Sequence, residues 1–238
     1  MGYAPQPVEI TDRRVHAALR RRERTRSRLL ESVLISYSDT PFGKSLSTEK
    51  VIANADVSKA TFYKYFSSTE EAVQVLGEAI VGDMVEYLTE LFSDEDRSSF
   101  KMVASMQVFL VRSSREPIWA TFVSRADLMG DTSTVRSGID DHIREARESG
   151  FLSVGSQDAA VALALGALEE GMRHLALNQV EDESVFVRDL MLLILRGLGA
   201  DPTASEALLD ETLSFMRSTR PSRLPVLRDS LTRLGVGA

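Results

Sequence analysis

Apolar positions recur at helical spacing along nearly the whole chain, and sustained alternation bounded by turn residues is almost absent. The pattern predicts an all-α protein. After a loose tail over residues 1–19, a first helix is expected from about Arg20 to Tyr37, with Leu29, Leu30, Val33, Leu34 and Tyr37 on one face. "SDTPFGKS" breaks it through Pro41 and Gly43. A short helix follows at about 48–55, with Ser47 as its N-cap and Leu46 stapled to Val51 across the cap. Another starts after Ser58, where Val57 and Phe62 repeat the staple spacing. Ser68-x-x-Glu71 reads as a capping box opening a longer helix to about Phe92. Further helices are expected at about 94–114, 117–129, 134–148, 157–178, 183–198 and 203–217. Pro117 suits a first turn, Gly150 a helix end, and Thr203-x-x-Glu206 a second capping box. Pro221 and Pro225 close the helical region, leaving 218–238 as a weakly ordered tail.

Charge changes the picture because it is unevenly placed. Residues 1–66 hold 12 Lys and Arg against 7 Asp and Glu, while the remainder holds 16 against 28. A basic head on an acidic body points to a polyanion met by the head alone. The chain has 238 residues, enough for one large domain or two small ones, and no cysteine. Disulfides, thiolate zinc sites and cysteine nucleophiles are therefore excluded. The longest apolar run, Ala159–Leu168, is far short of the roughly 20 residues of a membrane span. The start, "MGYAPQP", has no hydrophobic signal core. A cytoplasmic protein with no membrane partner is expected.

The basic head concentrates its chemistry in residues 47–69. Two short helices joined by a tight turn, "STEKVIANADVSKATFYKYF", have helix-turn-helix dimensions. With Ser58 at zero and about 100° per residue, Phe62 falls near 40° and Phe66 near 80°, toward Val51, Ile52 and Val57. Ala60 and Lys64 fall roughly opposite, flanked by Thr61 and Tyr63, with Lys59 and Tyr65 nearer the edges. That outer face suits DNA: lysines meet phosphates or guanine edges, tyrosine hydroxyls bond phosphate oxygens, Ala60 permits close approach, and Thr61 offers a hydroxyl and a methyl. The arginine-rich "RRRERTRSR" at 20–28, with Arg24 and Arg26 as its candidates, can reach a neighbouring groove or backbone. Read on residues alone, an ordinary helical hairpin with a solvated basic turn remains the alternative.

"VIANADVSKATFYKYFSSTEEAV" resembles the reading head of the TetR family of bacterial transcription regulators. The family string is an Ala-Gly-Val-Ser turn, then a small residue, a hydroxyl residue, an aromatic, Tyr, a basic residue, His or Tyr, and Phe. It is matched by Ala55-Asp56-Val57-Ser58, Ala60, Thr61, Phe62, Tyr63, Lys64, Tyr65 and Phe66. The resemblance spans about 45 residues. It implies that Tyr63 and Tyr65 contact phosphates, that Lys59, Ala60, Thr61 and Lys64 lie near base edges, and that Ser47 and Thr48 face the DNA backbone. Two departures stand out: the turn glycine is Asp56, and the basic residue opening the next helix is Thr69, a weakened phosphate contact.

The resemblance also implies an organisation: a helix-turn-helix DNA-binding domain over 20–67 and a ligand-binding and dimerisation bundle over 68–217. The partners it implies are a near-palindromic double-stranded operator, a second copy of the chain, and a small-molecule effector of unknown identity. The expected function is a repressor released from DNA by ligand. A constitutive or protein-controlled DNA-binding dimer is the alternative, and a helical carrier or enzyme with a coincidental helix-turn-helix stands behind both. Independently, "VFVRDLMLLILRGL" at 185–198 is apolar on nearly every face after Asp189, so it needs cover on both sides. "AAVALALGALEEG" at 159–171 carries the small residues that permit close helix approach. Large apolar pocket candidates are Met106, Phe109, Trp119, Phe122 and Met172, with His174 as a polar orienter. No cofactor and no metal site are expected. His16, His142 and His174 form no H-E-x-x-H motif, and no P-loop or G-x-S-x-G appears. His142 adjoins acids at 140, 141 and 145, which are expected to pair with Arg144 or Arg147. "RGLGAD" at 196–201 follows a helix and reads as its stop.

Overall fold

The computed structural model describes residues 8–41, 44–125, 134–177 and 180–218. Of the tail expected at 218–238, Ser218 still belongs to the last helix, and the rest, with the end of the helix expected at 117–129, lies outside the described residues. Among the described residues the structure is helical, with no strand: α1 (Val8–Ser38), α2 (Thr48–Ala55), α3 (Lys59–Phe62), α4 (Thr69–Leu91), α5 (Ser98–Arg115), α6 (Pro117–Val123), α7 (Thr134–Glu148), α8 (Gln157–Leu177), α9 (Glu183–Gly197) and α10 (Pro202–Ser218).

The chain divides into two units, with the boundary inside α4 between Leu76 and Gly77. In the first unit Leu29, Leu30, Val33 and Leu34 of α1 meet a core completed by Val51, Phe62 and Phe66. Polar groups stitch α1 to α2. The Ser32 hydroxyl donates to the Val51 carbonyl at 2.7 Å, and the Asn54 amide donates to Ser36 Oγ at 2.9 Å. Burial satisfies these groups pairwise, which fixes the register of the two helices.

Helix α1 begins at Val8, twelve residues before the Arg20 expected from periodicity. Residues 15–24 are exposed, so no apolar face marks them in the sequence. Ala, Leu, Arg and Glu there carry high intrinsic helix propensity and extend the helix without burial.

The second unit is built around α5, which buries Phe100, Met102, Val103, Met106, Val108, Phe109 and Leu110 and packs against α6, α7, α8, α9 and α10. Gly171 lets α8 lie close to its neighbours: a Cβ there would stand 2.4 Å from Leu190 and 2.9 Å from Leu110. Gly199, at φ +76°, ends α9 with the Ala200 N–H donating to the Leu195 carbonyl, and its missing Cβ leaves room for the Ser153 backbone. The start of α10 differs from the Thr203 capping box expected. Asp201 caps it, accepting from the Ala204 N–H at 2.9 Å, and Pro202 opens the helix.

Candidate nucleic-acid interface and cavity

The reading face is set by caps. Ser47 accepts from the Lys50 N–H at α2, and Ser58 accepts from the Thr61 N–H at 3.1 Å at α3. Between them Asp56 holds the left-handed conformation, φ 49° and ψ 54°, where the family string has glycine. Helix α3 ends at Phe62, and Tyr63–Tyr65 continue as a turn. Backbone bonds from Tyr63 to Lys59 and from Phe66 to Phe62 keep the helical side-chain arrangement. Phe62 and Phe66 are buried with ring centroids 5.8 Å apart. Tyr63 stands 49% exposed, its ring edge-on to Phe62 at 5.4 Å.

Lys59, Ala60, Tyr63 and Lys64 are exposed together, with Thr61 and Tyr65 half-buried beside them. Lys59 also pairs with Glu49 at 3.4 Å, which brings the start of α3 beside the first turn of α2, where Ser47 and Thr48 sit. Hydrogen bonds from its own amide, Ser47 and Lys59 hold the Glu49 carboxyl below its usual value. An exposed pair of this kind is weak, because water screens it, and is readily exchanged for a phosphate.

Three candidates stand apart from that face. Arg24 is exposed on α1. Arg26 is half-buried, its guanidinium 5.9 Å from the Phe66 ring centroid. Thr69 is 5% exposed, and its hydroxyl lies 3.2 Å from the Glu70 carboxylate and 3.4 Å from the Leu46 carbonyl, so the side chain expected at a phosphate is turned into the head itself. The expected Ser68 cap forms, and only the return bond of the capping box moves by one residue. Ser68 Oγ accepts from the Glu71 N–H at 3.1 Å, while the Glu71 carboxylate accepts from the Ser67 N–H at 2.6 Å.

Sequence reasoning missed Arg28. Its guanidinium donates to the carbonyls of Ala55 and, at 3.0 Å, of Asp56, tying α1 to the turn. The signal was a left-handed turn without glycine beside an arginine-rich helix. Arg28→Ala leaves those carbonyls without their cation and is expected to cost about 1–2 kcal/mol of stability. A denaturation midpoint unchanged from the parent protein would rule the contact out.

In the second unit α4, α5, α7 and α8 line a partly open cavity of about 430 Å³. Its walls are mainly apolar, from Leu88, Phe92, Met102, Met106, Phe109 and Leu168. Met106 and Phe109 are thus brought to it, while Trp119, Phe122, Met172 and His174 lie outside its lining. Trp119 is fully buried under Arg112, whose guanidinium lies 4.3 Å from the ring centroid and donates to Glu116. Phe122 and Met172 are core, and His174 stacks on Phe186 at 5.0 Å. The histidine that does line the cavity is His142. It shares the helical stripe of Val135, Ile139 and Ala146, a position legible in the sequence. Its Nδ1 is buried without a hydrogen-bond partner among the described residues, a state that costs about 1–3 kcal/mol. Burial pushes the imidazole below its ordinary pKa, against the pull of Glu145 and Asp141 and with the help of Lys101. Arg144 pairs with Asp141, and Arg147 donates to Gln157 at 2.9 Å. Among the described residues no His, Asp and Glu cluster is placed to hold a metal, and no helix is long and apolar enough to cross a membrane.

No family model matches the chain. A nucleoid occlusion factor, SlmA, from Idiomarina loihiensis is 24% identical over 119 residues, 50% of this chain, which spans about three-fifths (61%) of that protein's length. Among solved structures, RolR bound to resorcinol superposes with a TM-score of 0.58 at 17% identity, covering 79% of this chain and 94% of RolR. An ArpA-like gamma-butyrolactone receptor gives 0.60 at 12% identity, covering 83% of this chain and all of the receptor. Likeness at this level of identity shows the fold, and the fold of this chain is that of the TetR-family regulators, a helix-turn-helix head joined to a helical bundle.

Proposed function

We propose that the chain is a dimeric, one-component transcriptional regulator, a repressor that leaves its operator when a small molecule fills the cavity. The observation that carries the reading is the exposed Lys59, Ala60, Tyr63 and Lys64 face beside the α2 N-terminus. It combines phosphate-binding and base-reading groups on an element that fits the major groove. The head is proposed as residues 20–67 and the effector and dimer domain as 68–217. The cavity of about 430 Å³ favours ligand control over a constitutive DNA-binding dimer.

A second copy is the proposed cover for α8 and α9. Leu163, Leu177, Val185 and Leu193 are exposed there, beside Ala162, Gly166 and Gly197. A twofold dimer presents two reading heads about 34–36 Å apart on a near-palindrome. Helix α4 contributes residues to both units and is the proposed transmission element. Ligand shifts the equilibrium only by binding one head spacing better than the other.

Genome-wide mapping of bound DNA tests this. It should return a near-palindromic motif bound in vitro by the purified chain with steep salt dependence. Lack of any DNA association at low salt, where phosphate contacts are strongest, would overturn the reading.

A further inference from the structure

The cavity carries chemical instructions of its own. Its walls offer the Phe92 and Phe109 rings and the Met102 and Met106 thioethers, surfaces that favour aromatic or otherwise apolar occupants. Against them stands one unsatisfied buried polar atom, His142 Nδ1. In a neutral imidazole that nitrogen is either a donor or an acceptor, depending on the tautomer. A hydroxyl group satisfies both cases, because it donates and accepts. Anions fare worse. Lys101 of α5 lines the cavity, and it is offset at His142 by the carboxylates of Glu145 and Asp141 on α7, Asp141 being itself paired with Arg144. A carboxylate ligand would also lose its hydration against apolar walls.

We propose that this cavity binds an uncharged, predominantly apolar molecule bearing a hydroxyl group, seated with that hydroxyl on His142 Nδ1. The proposal rests on the ligand-responsive reading and names the chemistry that such a ligand must have. Lys101 and Ser105, one turn apart on the α5 face that lines the same cavity, leave room for a second polar substituent. Leu88 and Leu168 belong to the apolar wall.

The test is calorimetric titration of the full chain, without DNA, with 3-methylphenol, toluene and 3-methylbenzoate at neutral pH. The phenol should bind at least tenfold tighter than the other two. His142→Leu should lower phenol affinity about tenfold and leave toluene unchanged or improved. Because that variant can fail to fold, the His142 ring nitrogens of the unmodified protein are followed by NMR. Their resonances should move with the phenol and not with toluene. Equal phenol and toluene affinity, tighter benzoate binding, no phenol binding up to its solubility, or an unmoved His142 signal would each overturn the proposal. DNA binding is measured separately by mobility shift. Operator binding without phenol binding sinks this inference alone, while phenol binding without operator binding sinks the regulator reading and leaves the site chemistry standing.

Discussion

Leu193→Glu is expected to leave the chain folded and to make it monomeric. Leu193 is 65% exposed on α9, while the opposite side of that helix buries Val187, Met191, Ile194 and Leu195. The substitution therefore leaves the subunit core untouched, and unfolding of the monomer should shift little. At a twofold interface every residue counts twice. Full burial of a leucine contributes about 1.5–3 kcal/mol, so two copies lose several kcal/mol of association free energy. The two introduced carboxylates must also lose water in an apolar seam, which costs more again. A weakening of dimerisation by at least about a hundredfold follows, since each 1.4 kcal/mol is a factor of ten. Sedimentation velocity at micromolar protein should show a monomer near 26.3 kDa in place of a species of twice that mass. Operator binding should fall with it, because one head alone loses the second half-site. A dimer that survives Leu193→Glu would move the interface away from α8 and α9.

The helical layout was legible where burial and capping agree. Helix α2 shows both: Ser47 caps it, and Val51 and Ala55 are its buried positions, so its limits at Thr48 and Ala55 follow from the sequence. Helix α7 was similarly readable from Val135, Ile139, Ile143 and Ala146 on one stripe. The early start of α1 was not, because an exposed helix leaves no periodic trace. The division of the head's aromatics was readable on a wheel, with Phe62 and Phe66 inward and Tyr63 outward. What could not be read was partner choice. Thr69 and Arg26 have the composition of DNA-facing groups, yet Leu46 and Phe66 claim them, and those contacts cross tens of residues of sequence. The cavity shows the same limit. Trp119, Phe122 and Met172 have the size and polarity of pocket walls, and only three-dimensional packing places them in the core. Periodicity locates a residue's face on its own helix but not which neighbour fills the space against it.

The pair Tyr63→Phe with Lys64→Ala should weaken operator binding by about a hundredfold or more and spare everything else. Tyr63→Phe keeps the ring that packs edge-on against Phe62 and removes only the hydroxyl. Lys64 is exposed, so its truncation opens no cavity in the Phe62 and Phe66 core. Each hydrogen bond to a charged partner is worth about 1.5–3 kcal/mol, so losing two per head removes about 3 kcal/mol or more. The salt dependence carries a separate signature. Removing one lysine–phosphate contact lowers the slope of log affinity against log salt by about 0.9 per head. Lys59→Ala should act more weakly than Lys64→Ala, because Lys59 must first give up Glu49 to meet DNA, and Glu49→Gln should strengthen binding by freeing it. Fluorescence anisotropy on the mapped operator at several salt concentrations measures all of these. Sedimentation and thermal unfolding of the double variant should match the parent protein, which separates a lost contact from a lost fold. If operator affinity and its salt slope are both unchanged, the face formed by α3 and the turn after it does not meet DNA, and the basic segment at 20–28 becomes the surface that must account for any binding.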